Sequence, residues 1–274
     1  MPSPFLRWAG SKRKLLPQLA QYWGADHKRY VEPFMGSACL FFFLEPNSAL
    51  LNDVNVELVN AFSAIRRYPK AVYNLVTQLP QTSEDYYFIR SLDPLQMKSI
   101  ARAARFIYLN RFCFNGLYRT NKDGDFNVPY GPHKSGSIPS LEALRLCSNS
   151  LKGASLCTED FESFVLRNVK KGDFVYLDPP YALSNKRVFR QYNAQTFGVE
   201  DIDRLDKLLE EVDRRGATFV LSYADCEEIA MVADKWTPSK VQIRRNIAGF
   251  ADQRRLDTEL IVTNAVSNQE MSAP

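Results

Sequence analysis

The apolar run Phe174-Val175-Tyr176-Leu177 leads straight into Asp178-Pro179-Pro180-Tyr181, and this junction limits the fold more than any other stretch. A short unbroken apolar run is the pattern of a strand buried on both faces, as in a parallel sheet covered by helices. The two prolines remove two backbone N–H donors, so the ladder must stop after Leu177. Pro179 also biases Asp178 toward extended backbone. The result is a stiff turn at the carboxyl end of a strand, where open α/β sheets bind ligands. It presents a carboxylate, carbonyl acceptors and an aromatic face. That set suits a planar amino group on a ring: the carboxylate and a carbonyl take its two N–H bonds, the tyrosine stacks on the ring, and the nitrogen lone pair is freed from conjugation. A proline-terminated strand with an Asp cap and a packed Tyr gives the same letters, so the surrounding sequence must decide.

Upstream, Tyr30–Phe34 reads as a strand, Gly36-Ser37 as a turn, the run through Leu44 as a helix and Ala49–Asn52 as a second strand ending in Asp53. This is the opening of a βαβ unit. A glycine turn between strand and helix lets a ligand approach the backbone closely. An acidic residue at the end of the next strand is placed to bond a ribose. Asp53 alone reads more readily as a helix cap than as a ribose ligand, and without a G-x-G-x-x-G pattern a dinucleotide is not indicated. In order on successive strands, the two features favour a nucleoside cofactor.

The rhythm breaks over residues 56–145. Asn55 to about Gln78 and Leu95–Phe112 read as helices rich in basic and aromatic residues, with breaks at Pro69, Pro80 and Pro94. Asp123-Gly124 then signals a hairpin turn. Beyond Ser155 the α/β rhythm returns, with a helix over Ile202–Arg215, a strand over Ala217–Ser222, and an antiparallel pair from Lys240–Ile247 and Leu260–Thr263. The expected architecture is a parallel α/β sheet from residues 1–55 and 146–274, split by a helical and hairpin insertion at 56–145.

Composition adds exclusions. With 274 residues, 45% hydrophobic and 24% charged, the chain reads as a soluble globular protein rather than a disordered or fibrous one. The longest apolar run, Ala38–Leu44, is far below the ~20 residues of a membrane span. Met1-Pro2-Ser3-Pro4 reaches Arg7 with no room for a signal peptide, so a cytoplasmic location is expected. The net charge of +4 is compatible with nucleic acid without pointing to it. Five scattered cysteines without a C-x-x-C pair, and His27 and His133 outside any ligand pattern, give no expectation of a metal site.

Phe5-Leu6-Arg7-Trp8-Ala9-Gly10-Ser11-Lys12, Glu32–Ser37, Leu51–Asn55, Phe112–Arg119, Gly124–Pro129 and Asp178–Tyr181 together resemble the Dam-type DNA adenine-N6 methyltransferases, with the motifs in that family's alpha order. The resemblance implies a Rossmann-like methyltransferase sheet carrying an inserted DNA-recognition domain. It also implies methyl transfer from S-adenosylmethionine to N6 of an adenine flipped out of double-stranded DNA. Trp8, Lys12, Phe34, Gly36 and Asp53 would then lie at the cofactor, with Asp160 and Phe161 at its adenine. Asp178, Pro179, Pro180 and Tyr181 would hold the target base. Arg7, Arg119, Asn121, Lys122, Asn127, Pro129, Lys134, Arg244 and Arg245 would face DNA, although any one of these basic residues reads equally as part of a solvated surface. Relatives that read GATC carry an arginine or other bulky residues in the hairpin turn. Here it is Thr120-Asn121-Lys122-Asp123, and an aspartate cannot pair a guanine acceptor edge. That departure keeps open a second reading, a cofactor- and DNA-binding component with little catalysis. The second glycine usual in the first motif is Ser11 here. No protein partner is read from the sequence.

Overall fold

The computed structural model describes residues 2–131, 137–181, 197–246 and 254–265. After a short helix α1 (Leu16–Ala20), the chain builds β1 (Arg29–Glu32), α2 (Cys39–Leu44) and β2 (Ala49–Asn52), the βαβ opening expected from the sequence. A long connection follows, holding α3 (Val56–Arg67), α4 (Pro69–Gln78), α5 (Ser83–Ser91), α6 (Ser99–Phe112) and α7 (Leu141–Ser150). The chain then alternates through β3 (Ala154–Cys157), α8 (Phe161–Asn168), β4 (Asp173–Leu177), α9 (Val199–Arg214), β5 (Thr218–Ala224) and α10 (Glu227–Ala233). It ends in the pair β6 (Thr237–Asn246) and β7 (Arg254–Thr263).

The seven strands form one sheet in the order β3-β2-β1-β4-β5-β7-β6. β1 pairs in parallel with both β2 and β4, and β4 with β5, whereas β7 runs antiparallel between β5 and β6. The order therefore reverses at β1/β4, the switch point where the loops leaving neighbouring strands diverge and open a crevice. Together with the helices on both faces, this is the Rossmann-like methyltransferase sheet that the motifs imply.

Each residue of β4 is buried. Phe174 and Tyr176 enter one core with Tyr30, Phe41, Phe62 and Phe106, while Val175 and Leu177 enter the other with Phe164, Leu205, Phe219 and Ile229. Successive side chains alternate faces along a strand, so an unbroken apolar run is what two covered faces demand. α9 supplies a buried stripe at Ile202, Leu205, Leu208, Leu209 and Val212, the i, i+3, i+4 spacing of an amphipathic helix.

α3 starts where the Asn55 side chain accepts from the Leu58 N–H at 3.1 Å, and Pro69 opens α4 in its first turn, where a missing N–H costs nothing. α5 and α7 are not expected from the sequence. Their signals are the caps Thr82 and Ser140, which accept from Asp85 and Ala143. Buried residues of α3–α7 join the core on one sheet face, so the helical part of 56–145 shares the sheet's interior. The expected hairpin is present as a short one, with an antiparallel bridge at Thr120–Phe126 flanked by backbone bonds from Asn121 N–H to Asp125 and from Asn127 N–H to Arg119. A second bridge joins Cys113 and Tyr130. The hairpin turn is closed locally, with Asn121 Oδ1 accepting from the N–H groups of Asp123 at 3.0 Å and Asp125 at 2.8 Å. Among the described residues no helix is long and apolar enough to cross a membrane.

Candidate active site

The carboxyl ends of β1, β2 and β4 open into a cavity of about 340 Å³, a volume suited to a small-molecule ligand. Buried Asn52 braces its rim. It donates to the carbonyls of Pro33 and Glu159, both at 3.0 Å, and accepts from the Glu159 N–H at 3.0 Å, tying the loops after β1 and β3 together. Asp53 follows, its two carboxylate oxygens accepting from the Gly36 N–H at 3.1 Å and the Asn55 N–H at 2.9 Å. Gly36 has φ +47°, and a Cβ there would lie 2.8 Å from Trp8 Cδ1, so the close seat of the indole on this turn requires glycine. On the opposite wall Phe34, Phe161 and Phe197 cluster with ring centroids 5.1–6.2 Å apart. The Arg204 guanidinium covers Phe161 at 4.5 Å and is held by Asp160 at 2.6 Å and by Glu162 and Asp201 at 2.8 Å.

The turn after β4 makes the other end of the cavity. Asp178 pairs with Lys12 at 3.1 Å and accepts from the Ser222 hydroxyl at 3.3 Å. Lys12 also donates to the Tyr181 hydroxyl at 2.5 Å and to Glu259 at 3.2 Å. Tyr181 packs edge-on against Tyr223 at 4.9 Å and donates to Glu259 at 2.8 Å. Burial raises the Asp178 carboxyl above its ordinary value, against the pull of the Lys12 ammonium. For Lys12 burial acts downward, but Asp178, Tyr181 and Glu259 together hold the ammonium above the ordinary lysine value. Burial pushes the Tyr181 phenol up to about 12, so it stays a neutral donor. Glu32 also lines the cavity. It is buried, its Oε2 makes no hydrogen bond, and burial lifts its carboxyl well above the usual range.

One cavity thus joins the Asp53 carboxylate, an aromatic cluster and a carboxylate–tyrosine corner, all at the sheet's switch point. The chain matches, over residues 8–247, the family described as D12 class N6 adenine-specific DNA methyltransferase. It is 35% identical to a type II methyltransferase of Lactococcus lactis subsp. cremoris, over 95% of both chains. This chain belongs to that family. It is also 31% identical to a type II methyltransferase of Methanocaldococcus jannaschii, over 95% of this chain and 98% of the relative. To a DNA adenine methylase of Escherichia coli it is 29% identical, over 94% of this chain and 93% of the relative. The protein is therefore an enzyme that methylates adenine at N6 in DNA.

The methyltransferase brings all of the expected catalytic and cofactor residues to this one cavity: Trp8, Lys12, Phe34, Gly36, Asp53, Asp160 and Phe161 line it together with Asp178, Pro179, Pro180 and Tyr181. Lys12 differs in its engagement, since its ammonium is committed to the Asp178–Tyr181 corner. The expected DNA-facing residues are more scattered. Arg7 is fixed through its backbone, which exchanges hydrogen bonds with the Asn110 side chain at 2.8 and 2.6 Å. Arg119 donates to Asn127 at 2.7 Å, so two residues expected to face DNA hold each other. Asn121 is spent on closing its own turn, while Lys122 and Pro129 are exposed. Lys134 lies outside the described residues, and for Arg244 and Arg245 only the backbone, in β6, is described.

Sequence reasoning did not single out Glu32, Asn52, Ser222, Arg204 or Glu259. A signal existed for two of them: Glu32 and Asn52 sit inside the motifs quoted for the resemblance. Ser222 and Glu259 lie in strands, where nothing local marks a polar residue as part of a site.

Proposed function

We propose that the methyl donor is S-adenosylmethionine and that the target adenine is extruded from double-stranded DNA into the cavity. The observation that carries this reading is the shared cavity of Asp53 and Asp178, one at each end. The residues present fit the donor: the unpartnered Glu32 oxygen suits an ammonium, Asp53 suits a ribose diol, and the Phe34–Phe161 pair offers an aromatic surface for a purine. When bound, the donor supplies a methyl group already activated on a sulfonium sulfur. The protein's part is alignment and electrostatic support. Asp178 and a carbonyl of the proline turn accept the N–H bonds of the target amino group, and Tyr181 stacks on the ring. Extrusion costs a few kcal/mol of unstacking and unpairing, which contacts to the flanking duplex must offset.

We assign residues 1–55 and 146–274 to methyl transfer and 56–145 to target recognition. The hairpin tip carries exposed Lys122 beside exposed Asp123, and this favours a site other than GATC. The names of the two type II relatives support a place in restriction–modification.

The test is to incubate unmethylated genomic DNA, duplex or heat-denatured, with methyl-labelled S-adenosylmethionine and digest it to nucleosides. Label in N6-methyladenine from the duplex arm is expected. No label with this donor removes it from the reading, and label confined to denatured DNA removes the duplex. Donor binding without any turnover would favour the binding-component reading.

A further inference from the structure

Glu259 lies on β7, paired with Ala224 at the end of β5, and its side chain is 0% exposed. A buried carboxylate is costly unless it is paired and hydrogen-bonded. This one accepts the Tyr181 hydroxyl on both oxygens, at 2.8 and 3.0 Å, and the Lys12 ammonium at 3.2 Å. Among the described residues both contacts to Asp178, from Lys12 and Ser222, fall on Oδ1, which leaves Oδ2 for a ligand. Among the described residues Lys12 contacts two carboxylates, Asp178 at 3.1 Å and Glu259 at 3.2 Å, and so divides its charge between them. Without Glu259 the ammonium would neutralise Asp178 alone. Methyl transfer builds positive charge on the amino nitrogen before its proton leaves, and an Asp178 carboxylate less fully neutralised by Lys12 favours that step.

We propose that Glu259 is a positioning residue for methyl transfer: it anchors Tyr181 by its hydroxyl and takes up the charge of Lys12, leaving Asp178 for the amino group of the target base. The proposal rests on the reading above, that Asp178 and Tyr181 hold that base. A purely structural role, locking β7 to the sheet, would act on stability and leave the rate of transfer in the folded protein unchanged.

The test uses the full chain, unmethylated genomic DNA and single-turnover transfer of labelled methyl. Glu259→Gln keeps the volume and an acceptor but removes the charge, and Tyr181→Phe keeps the ring but removes the hydroxyl. Each is expected to slow transfer about tenfold or more, the scale of losing a hydrogen bond to a charged group, with donor and DNA affinities within about twofold of wild type. Because both act through one contact, the double variant should be slower than either single by much less than the product of their effects. A wild-type rate in Glu259→Gln overturns the proposal, as does full multiplication in the double variant or a loss confined to binding. If Glu259→Gln shows no thermal transition, Tyr181→Phe decides: slowed transfer with native donor binding supports the anchor, and an unchanged rate overturns it. An inactive wild type would instead sink the functional reading itself, whereas an active wild type with an unaffected Glu259→Gln removes Glu259 alone.

Discussion

Asp178 is held at a single position by Lys12 at 3.1 Å and Ser222 at 3.3 Å, so replacing it removes a group that is already aligned before substrate arrives. Asp178→Ala is expected to lower turnover by about 10²–10³-fold, the scale of deleting one transition-state hydrogen-bonding group. Calorimetry of the same variant should show donor affinity largely kept, because the carboxylate at the far end of the cavity is intact. That carboxylate, Asp53, is raised by burial to about 6, against the N–H bonds from Asn55 and Gly36. Glu32 is the acidic neighbour that faces it. Below that pH Asp53 takes up a proton and loses acceptor capacity for two hydroxyls. Donor affinity should therefore weaken by about tenfold for each pH unit below this point, the slope of a single linked proton. Asp53→Asn should bind weakly and lose the part of that slope that Asp53 contributes, leaving the part due to Glu32, whose raised carboxyl lines the same cavity. The stability effect has the opposite sign: the folded value lies above the ordinary 3.8, so Asp53 favours the fold at low pH and that contribution is lost as pH rises to about 6.

At the scale of elements, the turn between β1 and α2 joins the cavity to α6 and the hairpin turn. Trp8 rests on Gly36 and stacks on Tyr118 at 5.3 Å and 22°, and Tyr118 in turn meets Phe106 of α6 and Phe126 beyond the turn, each at 5.6 Å. Gly36→Ala places a methyl 2.8 Å from the indole at φ +47°, a backbone angle that L side chains rarely adopt. The strain alone costs about 1–3 kcal/mol. The expected outcome is a lower melting temperature, a changed tryptophan emission and weaker donor binding. An unchanged emission spectrum together with native affinity would show that the indole seat is not needed.

For the whole molecule the governing quantity is charge. A net +4 is modest, so DNA affinity is expected to come from local basic groups, with exposed Lys122 a proposed one, rather than from a global field. Each phosphate neutralised contributes a slope of about −0.9 to log K against log salt for duplex DNA. Titrating salt in an anisotropy assay should weaken DNA binding steeply and leave donor binding nearly flat. A flat DNA response would remove phosphate contacts as the source of docking.

Much of this arrangement was legible in the chain itself. β2 and the end of β4 fall where the apolar runs put them, and α9 follows its stripe, because turn chemistry and side-chain periodicity act over a few residues. The motif residues Trp8, Gly36, Asp53 and Asp178 reach one cavity because parallel strands deliver their carboxyl ends to the same edge. The sequence alone did not reveal that β7 slips between β5 and β6, or that Lys12 meets Glu259 across a separation of 247 residues. Local pattern determines which segments become strands, turns and helices. Which buried charges end up as partners is decided only when the sheet closes, because burial makes an unpaired charge too costly to keep.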